Sequence, residues 1–182
     1  SIPADRRQRL EFAYDYLGRR IRKRVYAWDP VPAAWTLAAE VLFVWDGWTL
    51  LAEFQSAPSP AGPSPVLLRA YLWGLDLASL ATGQPDDAAG GIGGLLAVAT
   101  YDPTSASGSS LSVLPAPGSV LFPVADANGN LCALVDATSE AGVVETTEYE
   151  PFGTVLERHR APGLDLPGTG ASLCPFGFSS RY

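Results

Sequence analysis

The chain has 182 residues, 47% of them hydrophobic and 17% charged, which is long enough and apolar enough to bury a core. Its net charge of −7 is unevenly spread: residues 1–24 carry eight of the twelve basic residues against three acids, leaving an acidic body behind them. That body excludes nucleic acid as a natural partner, because phosphate neutralisation supplies most of that affinity. No run of 18 apolar residues spans a membrane, and two cysteines, Cys132 and Cys174, allow one disulfide or none and frame no metal site.

Eighteen glycines and sixteen prolines predict a turn-rich chain. With no methionine, no signal peptide and a start at Ser1, it reads as an internal piece of a longer protein. The first predicted element is a hairpin over "RLEFAYDYLGRRIRKRVYAW", residues 9–28. Strand alternation places Arg20, Arg22 and Arg24 on one face and Ile21, Lys23 and Val25 on the other. The basic run is therefore expected to be a solvated strand face paired with acids, "ETTEYE" (145–150) being a candidate partner, rather than a nucleic-acid patch.

"PAAWTLAAEVL" (32–42) contains helix formers but runs into "EVLFVWDGWTLLAEF", which is aromatic and β-branched. A hairpin over 40–54 follows, with Asp46-Gly47 as the central pair of a type I′ turn. Strands are predicted at 66–74 and 95–102, and hairpins at 120–137, turning at Asn128-Gly129, and at 142–159. The segments 56–65, 103–110 and 161–172 are Pro/Gly/Ser-rich connectors, the first two being insertions.

The hairpins share a signature: Tyr14-Asp15-Tyr16-Leu17-Gly18, Ala125-Asp126-Ala127-Asn128-Gly129, Tyr149-Glu150-Pro151-Phe152-Gly153, and the shorter Trp45-Asp46-Gly47. An acid beside a bend accepts backbone N–H groups, glycine supplies the left-handed conformation, and the aromatic adds cross-strand packing. The copies lie 31, 80 and 24 residues apart, an irregular spacing that marks a degenerate hairpin repeat with insertions.

These motifs taken together resemble the Rhs repeat-associated core of YD-repeat proteins, to which the animal teneurins are related. The resemblance rests on "YDYLGRR" with its basic strand, "FVWDGWTLLAE", "YLWGLDL", "GGIGGLLAV", "VADANGNLCALVDA", "YEPFGTVLER" and "PFGFSSRY", in that order. It implies an all-β fold in which antiparallel YD hairpins build a curved, spiralling sheet, part of a hollow β-shell around a C-terminal polypeptide, a toxin effector in bacterial relatives. It implies partners in the rest of that shell and the enclosed polypeptide, and a secreted or cell-surface location. Residues 1–160 would be the repeat sheet, and 161–182 a loop and the start of the next core strand. The family's self-cleaving aspartyl motif, with its DPxG core, is absent: Asp29-Pro30 and Asp102-Pro103 lack the glycine, and Glu150-Pro151-Phe152-Gly153 belongs to a repeat turn.

Chemical alternatives are thinner. Gly90, Gly91, Gly93 and Gly94 form a dense glycine loop, but the register is not G-x-G-x-x-G, no Lys-Ser or Lys-Thr follows, and a strand rather than a helix succeeds it. It is expected to be a bend with close backbone approach. His159 is the sole histidine, no G-x-S-x-G elbow is present, and it sits in a charged hairpin exit. Glu148 and Glu150, two apart, and Asp86-Asp87 are the carboxylate pairs available to a glycosidase, and solvent-facing acids are the default for both. The expectation is a protein with no catalysis and no cofactor of its own. The alternative is an adhesion or glycan-binding β module using surface glycans as ligands and exposed Trp45, Trp48 and Trp73 to stack on them.

Overall fold

The computed structural model describes residues 6–57, 64–76, 90–101, 118–136, 142–161 and 173–177. They form ten strands: β1 (Gln8–Tyr14), β2 (Arg20–Asp29), β3 (Ala34–Asp46), β4 (Thr49–Ala57), β5 (Ser64–Trp73), β6 (Leu95–Thr100), β7 (Ser119–Ala125), β8 (Leu131–Asp136), β9 (Gly142–Tyr149) and β10 (Val155–Arg160). Strand order in the sheet is chain order, β1 to β10, with antiparallel registers from β1 through β5 and from β6 through β10. The described residues contain no α-helix. The protein is an all-β chain of antiparallel hairpins.

Two differences from the sequence pattern have simple causes. Residues Ala34–Leu42, rich in helix formers, are the first two-thirds of β3, because they pair along β2 from Asp29↔Ala34 to Arg22↔Leu42. Tertiary pairing overrides a weak local preference there, assisted by the edge-on contact of Trp28 with Trp35 at 5.2 Å. The 56–65 connector is shorter than expected, since Ser56↔Pro65 and Ala57↔Ser64 extend the β4–β5 ladder into it. The 103–110 insertion, Asp86-Asp87, Asp102-Pro103 and the 178–182 tail lie outside the described residues, as does 162–172.

The chain folds as two compact units, Ser1–Ala70 with Tyr101–Pro115, and Tyr71–Thr100 with Ala116–Tyr182. In the first, Phe43, Leu50 and Leu67 are the buried apolar side chains among the described residues, while on β1 and β2 Leu10, Phe12, Tyr14 and Ile21 are exposed and Val25, Tyr26 and Trp28 half-buried. Charge fills the gaps: Arg24 meets Glu40 at 2.6 Å, Arg22 reaches the same carboxylate at 3.9 Å, and Arg69 meets the buried Glu53 at 2.9 Å. The acid serving the basic strand is therefore Glu40 on its neighbour, not the 145–150 segment; in the other unit Glu145 is taken by Arg158 and Arg160 of its own neighbour, β10.

The second unit holds the denser core: Tyr71, Leu95, Ala97, Val98, Leu121, Leu131, Leu134 and Val144, with Leu173, Cys174 and Phe176 laid over it. Each fully buried Leu or Val removes apolar area worth about 1.5–3 kcal/mol. Both cysteines are free thiols.

Candidate functional site

Three of the predicted repeat turns close with one backbone pattern. Tyr14↔Arg20, Ala125↔Leu131 and Tyr149↔Val155 are the last strand pairs, so five residues form each loop. In each, the acid's N–H donates to the carbonyl of the fifth loop residue (Asp15 to Arg19, Asp126 to Asn130, Glu150 to Thr154; 2.8–3.0 Å). The glycine's N–H donates back to the acid's carbonyl (Gly18, Gly129 and Gly153; 2.9–3.0 Å). All three glycines have positive φ, at 79°, 77° and 92°, where a side chain would clash with the following carbonyl.

The aspartates do more. Asp15 Oδ1 accepts the N–H groups of Leu17 and Arg19, both at 2.9 Å, and its Oδ2 accepts Arg19 Nε at 2.7 Å. Asp126 repeats this, Oδ1 accepting Asn128 N–H at 2.8 Å and Asn130 N–H at 2.9 Å, and Oδ2 accepting Asn130 Nδ2 at 2.7 Å. Desolvation pushes against ionisation in both loops, but the donors win. Arg19 and Leu17 hold the Asp15 carboxyl below its ordinary value, and Asn130 and Asn128 do the same for Asp126. Glu150 closes its loop through the same two backbone bonds.

Trp45-Asp46-Gly47 differs. Asp46 pairs with Thr49, so Gly47 and Trp48, not Asp46 and Gly47, are the central residues. Only Gly47 has positive φ, 51°, which is the pattern of a II′ rather than a I′ turn. Arg19 of the preceding loop donates to the Gly47 carbonyl, tying the two hairpin ends of this unit together.

The aromatic of the signature has a role beyond packing. Trp45 Nε1 donates to the carbonyl of Arg20, the first residue of β2, at 2.8 Å. Tyr149 Oη donates to the carbonyl of Leu131, the first residue of β8, at 3.0 Å. In both units the residue before the acid reaches back to the start of the preceding strand, just past the previous turn. Ala125 cannot do this, and Tyr14, with no earlier hairpin among the described residues, is 53% exposed. The sequence signal for this tie was the hydrogen-bonding aromatic itself, since phenylalanine in that position could pack but not donate.

The glycine loop is a packing device. Gly74 N–H donates to Gly94 O at 2.8 Å, Gly90 N–H to Gly74 O at 3.0 Å, and Gly94 N–H to Gly91 O at 3.2 Å. A Cβ on Gly94 would stand 2.9 Å from the Gly90 carbonyl oxygen, and one on Gly91 2.8 Å from the Asp76 carboxylate. The loop also meets the 126–130 turn: a Cβ on Gly129 would lie 2.3 Å from Ile92 Cγ2. Gly93, like Gly90 and Gly91, has positive φ.

Among the other residues singled out, Trp48 is 71% exposed, but Trp45 is engaged with Arg20 and Trp73 packs edge-on against Phe176 at 5.1 Å. An exposed trio of tryptophans is therefore reduced to one. His159 is exposed and pairs with Glu157 at 2.9 Å. Glu148 is exposed on β9, while Glu150 lies in the loop beyond it. A shallow open groove beside the last two loops is lined by Asp126, Asn130, Cys132, Glu148, Tyr149 and Glu150. Burial, then the charge of Asp126, pushes the Cys132 thiol up, so it stays protonated and a poor nucleophile at neutral pH. Among the described residues no three His, Cys, Asp or Glu side chains converge as a metal ion would need, and no helix is long and apolar enough to cross a membrane.

The sequence pattern gave no warning of two features. Glu145 is buried on β9 between Arg160 (2.8 Å) and Arg158 (3.5 Å). It also accepts the backbone N–H of Leu173 at 3.2 Å, so residues 173–177 lie over the second unit's core. No protein-family model matches the chain, and no curated protein matches it.

Proposed function

We propose that the chain is a non-catalytic segment of a YD-repeat shell, working in a secreted or cell-surface protein to enclose or present a second polypeptide. The observation carrying this reading is the recurrence of one five-residue loop at Asp15, Asp126 and Glu150, linked in each unit by a Trp45 or Tyr149 tie to the hairpin before. A repeat whose units close themselves and clasp their neighbours suits an extended wall better than a catalytic cleft. The other chemistry is consistent with that role: Gly90 and Gly94 spend their N–H groups on carbonyls, and burial pushes the Cys132 thiol up.

The test is to express the chain together with the polypeptide encoded downstream of it in the parent protein and to probe that polypeptide with protease. Protection that vanishes when the Asp15, Asp126 and Glu150 loops are replaced supports the shell; an equally digestible polypeptide overturns it.

A second reading, a glycan-binding or adhesion module, draws on Tyr16 and Trp48, 92% and 71% exposed at two hairpin ends of the first unit. A glycan screen on the isolated chain separates the two. Sugar affinity in a stable monomer, lost in Trp48→Ala, favours adhesion.

A further inference from the structure

In the second unit, residues Leu173–Gly177 (LCPFG) are not a strand, yet they are held as a bound peptide would be. At one end the Leu173 N–H donates to the buried carboxylate of Glu145, which Arg158 and Arg160 keep in place. At the other, the Gly177 carbonyl accepts the Leu131 N–H at 3.2 Å, a donor from the first residue of β8. Between them Phe176 enters an aromatic slot, edge-on to Tyr71 at 5.2 Å and to Trp73 at 5.1 Å, with interplanar angles of 87° for both. Cys174 is 1% exposed and faces Leu131, Ala133 and Leu134. One backbone donor, one backbone acceptor and one deep side-chain anchor are the components by which grooves recognise extended peptides.

We propose that this face is a peptide-docking groove, filled in cis by residues 173–177 and able to take the same segment from a second copy of the chain. The contacts are defined by the segment, not by its connection, so a partner's Leu173–Gly177 would make every one of them. Exchange of an identical element is a low-cost route to a dimer, because contacts released in one copy are remade in the other. The groove's own groups support this directly. Glu145 is paired with Arg158 and Arg160 of β10, and Tyr71 and Trp73 belong to β5, none of them part of the segment. The receptor side is thus built without the strap.

The two cysteines make the test direct. Cys174 is hidden by the strap it belongs to, while Cys132 lines the separate open groove beside Asp126 and Glu148 and serves as an internal reference. A synthetic peptide of residues 171–178 with serine in place of the cysteine (ASLSPFGF) is titrated into the full chain, and alkylation of each thiol is followed by mass spectrometry. Displacement of the strap should raise the Cys174 rate saturably, by roughly tenfold or more, with Cys132 unchanged, as local opening does. The same peptide with alanine for phenylalanine should have no effect. A Cys174 rate indifferent to the peptide, or one rising in step with Cys132, overturns the groove.

The second-copy occupant is tested by mixing two differently tagged full-length variants, Phe176→Ala (groove intact, anchor lost) and Trp73→Ala (anchor intact, slot damaged). Mixed dimers enriched over either homodimer in native mass spectra are expected. Peptide displacement in a chain that stays monomeric at every concentration overturns exchange between copies, leaving a groove for a foreign peptide.

Discussion

At the scale of single residues, the loop glycines separate two costs that the sequence alone runs together. Gly18 and Gly129 share a left-handed backbone, but a Cβ on Gly18 meets open space while one on Gly129 runs into Ile92. Gly18→Ala should cost about 1–2 kcal/mol, from the backbone conformation alone. Gly129→Ala should add roughly 1–3 kcal/mol of overpacking to that. Urea unfolding of the two variants, read by midpoint at unchanged slope, checks the ordering. The aspartates bear on acid stability. Because the folded Asp15 and Asp126 titrate below their unfolded value near about 4, their contribution is full above that value and is lost as pH falls through the lower folded one. The stability of Asp126→Asn should therefore fall less steeply than wild type between about pH 5 and pH 2, measured as urea midpoint against pH.

At the scale of strands and hairpins, the ties between neighbours are the next contributions. Tyr149→Phe removes the hydroxyl that holds the Leu131 carbonyl and should cost about 0.5–1.5 kcal/mol, whereas Tyr14→Phe, at an exposed ring, should be near neutral. Glu145→Ala leaves Arg158 and Arg160 without their shared acid and the Leu173 N–H without an acceptor. It should cost about 3–5 kcal/mol by thermal or urea unfolding. Much of this level was legible beforehand. The period-two pattern and the acid–glycine spacing are local properties, so β1, β2 and β7 to β10 follow from short windows of sequence. Residues 34–39 were not legible, because their alanines and leucine permit either state and the decision rests with β2, across a turn. Nor was Glu145: its exposed-looking run "ETTEYE" becomes buried only because Arg158 and Arg160 arrive from β10 and residues 173–177 fold back over it. Of the tryptophans, composition says how many there are, and only geometry says that Trp48 alone of the three faces solvent.

At the scale of the whole chain, β1 has one neighbour in the sheet order, so among the described residues it presents an outer row of backbone donors and acceptors with no strand beside it. Sedimentation velocity should show the isolated chain associating as its concentration rises, and a proline at an outward-facing N–H of β1, such as Gln8→Pro or Leu10→Pro, should reduce that association if the edge carries it. The agreement of sheet order with chain order has a kinetic consequence too. Every strand pairs with the one made just before it, and the self-closing loops at 15–19, 126–130 and 150–154 need no distant residue to form. The search for partners is short even though the protein is all-β, a class usually slowed by remote pairings. Such a chain can acquire its structure in the direction of its synthesis, each hairpin templating the next as it leaves the ribosome. It need not wait for its last residue before its first strands are set.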